Sequence, residues 1–233
     1  MIIKRPIVNF EKGRGGFDPV LIVIHIVGLP GKTAESAYQH FNNNTSQVSA
    51  HALVLRNGDI WEFVKDEDTS WGAGTVGYKN GIAIPPINNL ARNFWQRGVR
   101  LNQIALNLEH EGSEYEDLTS AQYASSAQWV REKCLKFHIP IDSAHIDRHS
   151  NIRATKTCPG KVNVSEIIRL ASLEVPVSEA EVIKIKISLL QKILDLLKSL
   201  AYYKKLGSTR DDEIGEVGAS YTTGFKEEDY KRF

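Results

Sequence analysis

Apolar and polar positions along this chain fall into blocks of different period, and the changes of period mark its elements. Val20 to Val27 (Val-Leu-Ile-Val-Ile-His-Ile-Val) is continuously apolar and rich in β-branched residues up to Gly28. That pattern predicts a strand buried on both faces, with His25 as its one polar side chain. After the Gly28-Leu29-Pro30-Gly31 turn, Thr33 is placed to cap a short helix whose apolar side is Ala34, Ala37, Tyr38 and Phe41, and Asn42-Asn43-Asn44-Thr45 ends it. Val48 to Leu55 and Asp59 to Val64 read as two strands joined at Arg56-Asn57-Gly58, where Asn-Gly is a strong hairpin signal.

From Thr69 to Arg100 periodicity is lost among Gly, Asn and Pro, with Trp71, Tyr78, Phe94 and Trp95 interleaved. A long loop of this kind is expected to be functional or disordered, and its aromatics favour a binding surface. Strand character returns over Asn102 to Glu109, closed by Gly112. Thr119 and Gln122 form a capping box ahead of Tyr123, Ala127, Val130, Cys134 and Phe137 at helical spacing, and Pro140 ends that helix. Cys134 lies on the apolar stripe and reads as a buried small residue. Ser143 to His149 predicts a short strand entering a loop. Strands and helices are mixed in order, so the fold class expected is α/β, a mixed sheet flanked by helices.

Past about Leu170 the pattern shifts. Residues 1–172 are expected to form one domain, 173–181 a linker, 182–205 an amphipathic helix and 206–233 a flexible tail. In the helix Ile183, Ile187, Leu190, Leu194 and Leu197 follow the seam of a short coiled coil, and Leu189, Ile193, Leu196 and Leu200 widen the apolar face. A face that wide is expected to dock on the domain or to make a homo-oligomer through 182–200.

Composition narrows the function classes. Twenty-nine basic against 28 acidic side chains give a net charge of +1, which argues against nucleic acid or an anionic membrane as a general partner. No apolar run is long enough to span a bilayer, and the N-terminus lacks the apolar core of a secretory signal. Cytoplasmic synthesis is therefore expected. Two cysteines, Cys134 and Cys158, make no disulfide framework.

The densest chemistry lies between His149 and Gly160 (His-Ser-Asn-Ile-Arg-Ala-Thr-Lys-Thr-Cys-Pro-Gly), where an imidazole, an ammonium and a thiol share one short segment ending in a Pro-Gly turn. Imidazole and thiolate are both zinc ligands, and a third ligand from elsewhere would complete a catalytic site with one position open. His25, near the carboxyl end of a buried strand, can supply it or can be a satisfied core histidine. His145 and His149 would share a strand face, so both can be metal-directed. His51 suits a packed strand as well as a site, Lys156 a solvated loop, and Glu109 an exposed strand face.

Five segments in order resemble a known family: Val23-Ile24-His25; Val48-Ser49-Ala50-His51 with the Asn57-Gly58 hairpin; Ser70-Trp71-Gly72-Ala73-Gly74; Leu106-Asn107-Leu108-Glu109-His110-Glu111-Gly112; and His149 through Lys156-Thr157-Cys158-Pro159-Gly160. From roughly Val20 to Leu170 the chain is similar to the zinc-dependent N-acetylmuramoyl-L-alanine amidases of the type-2 amidase and peptidoglycan-recognition superfamily, which includes phage endolysins. The resemblance implies a mixed sheet with Zn2+ on the floor of a groove, held by His25, His149 and Cys158. It implies catalytic roles for Glu109 and Lys156, substrate contacts from His51 and Trp71, and peptidoglycan or a muropeptide as substrate. Some phage members carry a tyrosine directly before the second-strand histidine; Ala50 stands here, which shifts weight to Glu109. A tryptophan-histidine pair frequent in the third motif is Trp71-Gly72. The activity implied is hydrolysis of the amide between N-acetylmuramic acid and L-alanine, in an endolysin or autolysin acting on the wall after release at lysis, with a recycling amidase open. The rival is a recognition module that binds muropeptides without cleaving them.

Overall fold

The computed structural model describes residues 1–28, 31, 33–173, 187–188 and 190–200. Among the described residues up to Leu173, eight strands and six helices are laid down in the order β1 (Ile2–Lys4), β2 (Leu21–Ile24), α1 (Ala34–Phe41), β3 (Ala52–Val54), β4 (Ile60–Glu62), β5 (Gly77–Lys79), β6 (Ile82–Ile84), α2 (Asn89–Gln96), α3 (Leu101–Ile104), β7 (Ala105–His110), α4 (Ser120–Phe137), β8 (Ile146–Arg148), α5 (His149–Ile152) and α6 (Val164–Ser172). Six strands make one mixed sheet in the order β1-β4-β3-β7-β2-β8, and β5 pairs with β6 in a separate hairpin. The expected mixed sheet flanked by helices is what forms.

Alternation explains how the central strands bury both faces. Ile22, Ile24, Leu106 and Leu108 join Trp129, Val130, Cys134 and Ile167 in the core under α4 and α6. Leu21, Val23 and Ala105 point the other way, into a cluster with Ala91, Leu101, Ile104 and Ile152. Leu53 and Phe63 pack with Ala34, Ala37 and Phe41 of α1 in a third cluster. Each large aliphatic side chain so buried contributes about 1.5–3 kcal/mol. The caps anticipated at Thr33 and Thr119 form: each hydroxyl accepts from the third residue of its helix, and the side chain of Ser36 or Gln122 reaches back to the cap.

Several elements differ from the sequence expectation. Residues 102–104 are helical, because Leu101 and Ile104, three apart, both face the second cluster, which a strand would prevent. The segment 69–100 is less irregular than expected: it holds the β5–β6 hairpin and α2, whose Asn88 cap accepts from the Ala91 N–H. β1 and α6 had no counterpart in the reading, although Asn163 caps α6 and Ile167 and Ala171, four apart, are its buried face. The strand before His149 stops at Arg148, and His149 opens a helical turn.

The chain divides into a unit spanning Met1–Glu174 and one spanning Val175–Phe233. In the second, 190–200 is helical, and Ile187, Leu190, Ile193, Leu194, Leu196, Leu197 and Leu200 are exposed. The expected linker beyond Leu173, the start and end of the expected helix, and the expected tail lie outside the described residues. Among the described residues no helix is long and apolar enough to cross a membrane.

Candidate active site

Strand direction and register assemble the site. β7, β2 and β8 run parallel, with Leu108 and Arg148 both aligned with Ile24. The next residue on each strand is therefore Glu109, His25 and His149, three chemical side chains in one row at the carboxyl ends of parallel strands, where α/β sheets bind ligands. The fourth component comes from the turn after α5. Ser150 N–H donates to the Cys158 carbonyl at 2.8 Å, and the Ile26 N–H donates to Cys158 Sγ at 3.3 Å, which hold the sulfur against the end of β2.

His25, His149 and Cys158 each offer one ligand atom, all within 4.8 Å of one another, and all three residues are buried. The His25 and His149 rings lie 4.5 Å apart at 59°. His25 Nδ1 is 3.9 Å from Cys158 Sγ, while its Nε2 is occupied by Asn107 Oδ1 at 3.0 Å. Among the described residues, His149 Nε2 and Glu109 Oε2 are buried atoms without a hydrogen-bond partner.

The electrostatics suit a cation. Burial, and then the neighbouring His149, hold His25 well below the ordinary histidine range. Burial together with Lys156 and Arg153 takes His149 down to about 4. Both rings are thus neutral at pH 7 and keep a lone pair. Burial pushes Glu109 up to about 8, and burial and then Glu109 push the Cys158 thiol up. Two acidic groups forced neutral beside two neutral imidazoles and an unsatisfied ring nitrogen form a donor set short of positive charge, which a divalent ion with nitrogen and sulfur preference would supply. The cluster fits a metal on this ground.

A pocket of about 330 Å³ opens over the cluster, lined among others by His25, Glu109, His149, Lys156, Cys158, Trp71, Gly72, His40 and Glu114. The structure thus brings together six of the seven residues to which the family resemblance gives a role. His51 is the one it does not: it is 1% exposed, and its ring nitrogens face Asn107 N and Ser70 Oγ on one edge, Arg14 Nη2 and the Asp68 carbonyl on the other. It stands just before β3, fully buried, and does not line the pocket. His145 does not line the pocket either: it is paired with Asp142 at 2.7 Å, because β8 spans only Ile146–Arg148 and neither histidine lies on the strand whose face they were expected to share. Glu109 does not lie on an exposed strand face; its carboxylate is sunk in the pocket.

Three participants escaped the sequence reading. His110 Nδ1 meets the His25 carbonyl at 2.7 Å and Nε2 meets Ser126 Oγ at 2.7 Å, anchoring the backbone beneath the ligand ring. Glu114 lines the pocket and accepts from Thr157. Asn107 bonds His25 directly. Each looked like an ordinary polar residue of a strand or loop, and only pairing across the sheet reveals its partner.

A mixed sheet whose parallel strands end in a buried His-His-Cys cluster beside a carboxylate defines the class: an α/β protein with a pocket at the carboxyl ends of its strands and a donor set able to hold a metal. The family model described as N-acetylmuramoyl-L-alanine amidase (Amidase_2) matches residues 15–161, and the chain belongs to that family. It is an N-acetylmuramoyl-L-alanine amidase, acting on peptidoglycan. The 1,6-anhydro-N-acetylmuramyl-L-alanine amidase AmpD of Haemophilus influenzae is 28% identical over 159 residues, covering 62% of this chain and 77% of that protein. The protein of the same name from Citrobacter freundii is 26% identical over 159 residues, covering 61% and 75%. In fold the chain is similar to a Se-Met AmpD derivative (TM-score 0.55, 21% identity, 72% of this chain and 93% of that one) and to PlyL (TM-score 0.51, 19% identity, 75% and 99%). Family membership and relatives that are enzymes set the recognition-only alternative aside.

Proposed function

We propose that the protein is a zinc-dependent amidase that hydrolyses the bond between the lactyl carbonyl of N-acetylmuramic acid and the nitrogen of L-alanine. The observation that carries this reading is the convergence of the His25, His149 and Cys158 ligand atoms, with the unpartnered carboxylate oxygen of Glu109 in the same pocket. Those three residues would hold zinc, which when bound supplies a Lewis acid for the carbonyl and acidifies water.

The remaining roles fall to the chain's own groups. A cation held by the three ligands would favour the ionised form of Glu109 against the burial that raises its pKa. The Glu109 carboxylate then takes a proton from the attacking water as the water oxygen bonds to the lactyl carbon, and delivers that proton to the L-alanine nitrogen as the C–N bond breaks. The products are a lactyl carboxylic acid and a free amino terminus. Lys156, on the pocket rim, offsets negative charge gathering on the carbonyl oxygen. Trp71, half-buried with its backbone N–H donating to Ser49 Oγ at 2.8 Å, offers a flat surface to the sugar or stem peptide. His51 has no place in this scheme.

For context, we place the enzyme with wall-degrading amidases, synthesised in the cytoplasm and acting as an endolysin or autolysin. Residues 1–172 would be its catalytic domain, and the exposed apolar helix that lies beyond the family match would dock or make a homo-oligomer. A second reading is favoured by the curated relatives, whose name specifies 1,6-anhydro-muramyl substrates: a recycling amidase for small muropeptides. The test is bound zinc and release of L-alanine amino termini from purified sacculi and from a soluble 1,6-anhydro-muropeptide, for wild type and Glu109→Gln in parallel. Zinc-loaded wild type that cleaves, beside a zinc-loaded inactive variant, supports the amidase reading. A preference for sacculi supports wall lysis and a preference for the soluble substrate supports recycling. Zinc binding without cleavage of either substrate overturns the reading.

A further inference from the structure

Behind the cluster lies a buried polar chain that the catalytic scheme leaves unused. His25 Nε2 is 3.0 Å from Asn107 Oδ1, Asn107 Nδ2 donates to Ser70 Oγ at 2.8 Å, and Ser70 Oγ lies 2.8 Å from His51 Nδ1. The Asn107 backbone N–H donates to that same His51 nitrogen at 2.9 Å, and Arg14 Nη2 stands 2.7 Å from the far ring nitrogen. Asn107 and Ser70 are 0% exposed, His51 1% and His25 2%. Four polar side chains in a row, sealed between layers of apolar core, cost desolvation unless each is bonded, so their retention calls for a use.

We propose that Asn107 is a positioning residue for His25, which rests on the reading of His25 as a metal ligand. Ligation through Nδ1 requires the proton of the neutral ring to sit on Nε2, and a proton there needs an acceptor. Asn107 Oδ1 is that acceptor. A carboxamide can present either end, and Ser70 Oγ selects the end by accepting from Nδ2. The register of β2 against β7 aligns Val23 with Asn107, so His25, two residues further along the same face, meets the amide diagonally.

Gly72 supplies an independent reason. A Cβ at that position would lie 2.6 Å from Asn107 Cγ and 2.9 Å from Oδ1, so the backbone of 72 can pass over the amide only without a side chain. The space that Gly72 leaves is filled by Asn107, and the histidine often found beside the tryptophan in this motif has no room here. Gly72 and Asn107 thus act as one unit that aims His25.

Zinc affinity is measured by chelator competition on wild type, Asn107→Leu, Asn107→Asp, Gly72→Ala and His25→Ala, with folding checked by thermal unfolding and the Co2+-loaded proteins compared by visible spectra. Asn107→Leu keeps the shape and removes the acceptor; zinc binding is expected to weaken about 10- to 100-fold, with an altered cobalt spectrum. Asn107→Asp restores an acceptor and should return affinity to within about threefold of wild type or tighter. Gly72→Ala should follow Asn107→Leu. A folded Asn107→Leu that binds zinc as wild type does, with an unchanged cobalt spectrum, overturns the proposal. Should that variant not fold, Ser70→Ala carries the test: a loss of about 3- to 10-fold is expected, and no change overturns it. Wild-type affinity in His25→Ala would remove His25 as a ligand, a failure of the underlying reading that is visible whatever Asn107 does.

Discussion

The sulfur of Cys158 accepts a hydrogen bond from the backbone N–H of Ile26 at 3.3 Å, 132 residues away in the chain. That bond favours the thiolate, opposes the burial that raises the thiol, and places the sulfur beside His25 before any ion arrives. A site preformed in this way should tolerate loss of the metal without loss of the fold.

Cys158→Ala is therefore expected to remain folded, since one small side chain of a large cluster is trimmed, at a cost of about 1–2 kcal/mol. Bound zinc should fall below about a tenth of an equivalent, because two ligands hold zinc far less well than three. Elemental analysis beside an unfolding curve checks both halves, and a zinc-replete variant would count against Cys158 as a ligand.

Stripping the wild type with a chelator should lower its melting temperature and abolish turnover, and zinc should restore both. Binding to the folded state alone adds about 2.7 kcal/mol at a hundredfold excess over Kd. Calorimetry with and without chelator measures the shift. An unchanged melting temperature would argue that no ion binds the folded protein.

Lys156→Ala separates charge stabilisation from metal binding. The side chain is on the pocket rim and is not one of the cluster's donors, so zinc content should be that of wild type. Turnover should drop about 100- to 1000-fold, the usual consequence of removing one donor from a developing oxyanion. A KM effect without a kcat effect would reassign Lys156 to substrate binding.

Gly160 has φ +61°, and a Cβ there would meet the Glu114 carbonyl oxygen at 2.2 Å and the Glu114 Cα at 2.6 Å. Both contacts are backbone, so neither can swing aside. Gly160→Ala should cost about 2–4 kcal/mol, combining left-handed strain with overpacking, and should displace the Cys158 turn. Urea unfolding gives the first quantity and zinc affinity the second.

Acid stability should depend on Asp66. Burial alone would raise its pKa, but Lys133 at 3.0 Å and Lys136 at 3.0 Å outweigh burial and hold the carboxyl below its usual range. A depressed folded pKa contributes stability above the unfolded value of about 3.9 and loses it as pH falls through the folded value. The wild type should thus lose stability below about pH 4. Asp66→Asn, which leaves the buried Lys133 ammonium short of a partner, should be less stable at pH 7 by about 2–4 kcal/mol and show a flatter acid limb. Denaturant titrations at pH 7 and pH 3 compare the two.

Much of this molecule was legible in the chain because local rules carry it. The Thr119-to-Gln122 box needs only three residues to declare a helix start, and the run from Val20 to Val27 could be buried only between two layers. The His149 to Gly160 segment announced its chemistry by composition. Other features were written just as locally and went unread: Asn88 and Asn163 are ordinary helix caps, and Leu101 and Ile104 carry a helical spacing too short to stand out from the strand beside it.

The sequence by itself determined the elements with strong periodicity, the mixed layering and the set of side chains able to bind a metal, because each depends on residue type and near neighbours. Tertiary structure alone decided which of them meet. Parallel register, with Leu108 and Arg148 both aligned with Ile24, brings His25, Glu109 and His149 into one row and sets Asn107 against His25, while the pairing of β3 with β7 sets His51 beside Asn107. The bonds of His25 with Asn107 and of Ile26 with Cys158 join positions 82 and 132 residues apart, and nothing local to any of those residues specifies a partner that far along the chain.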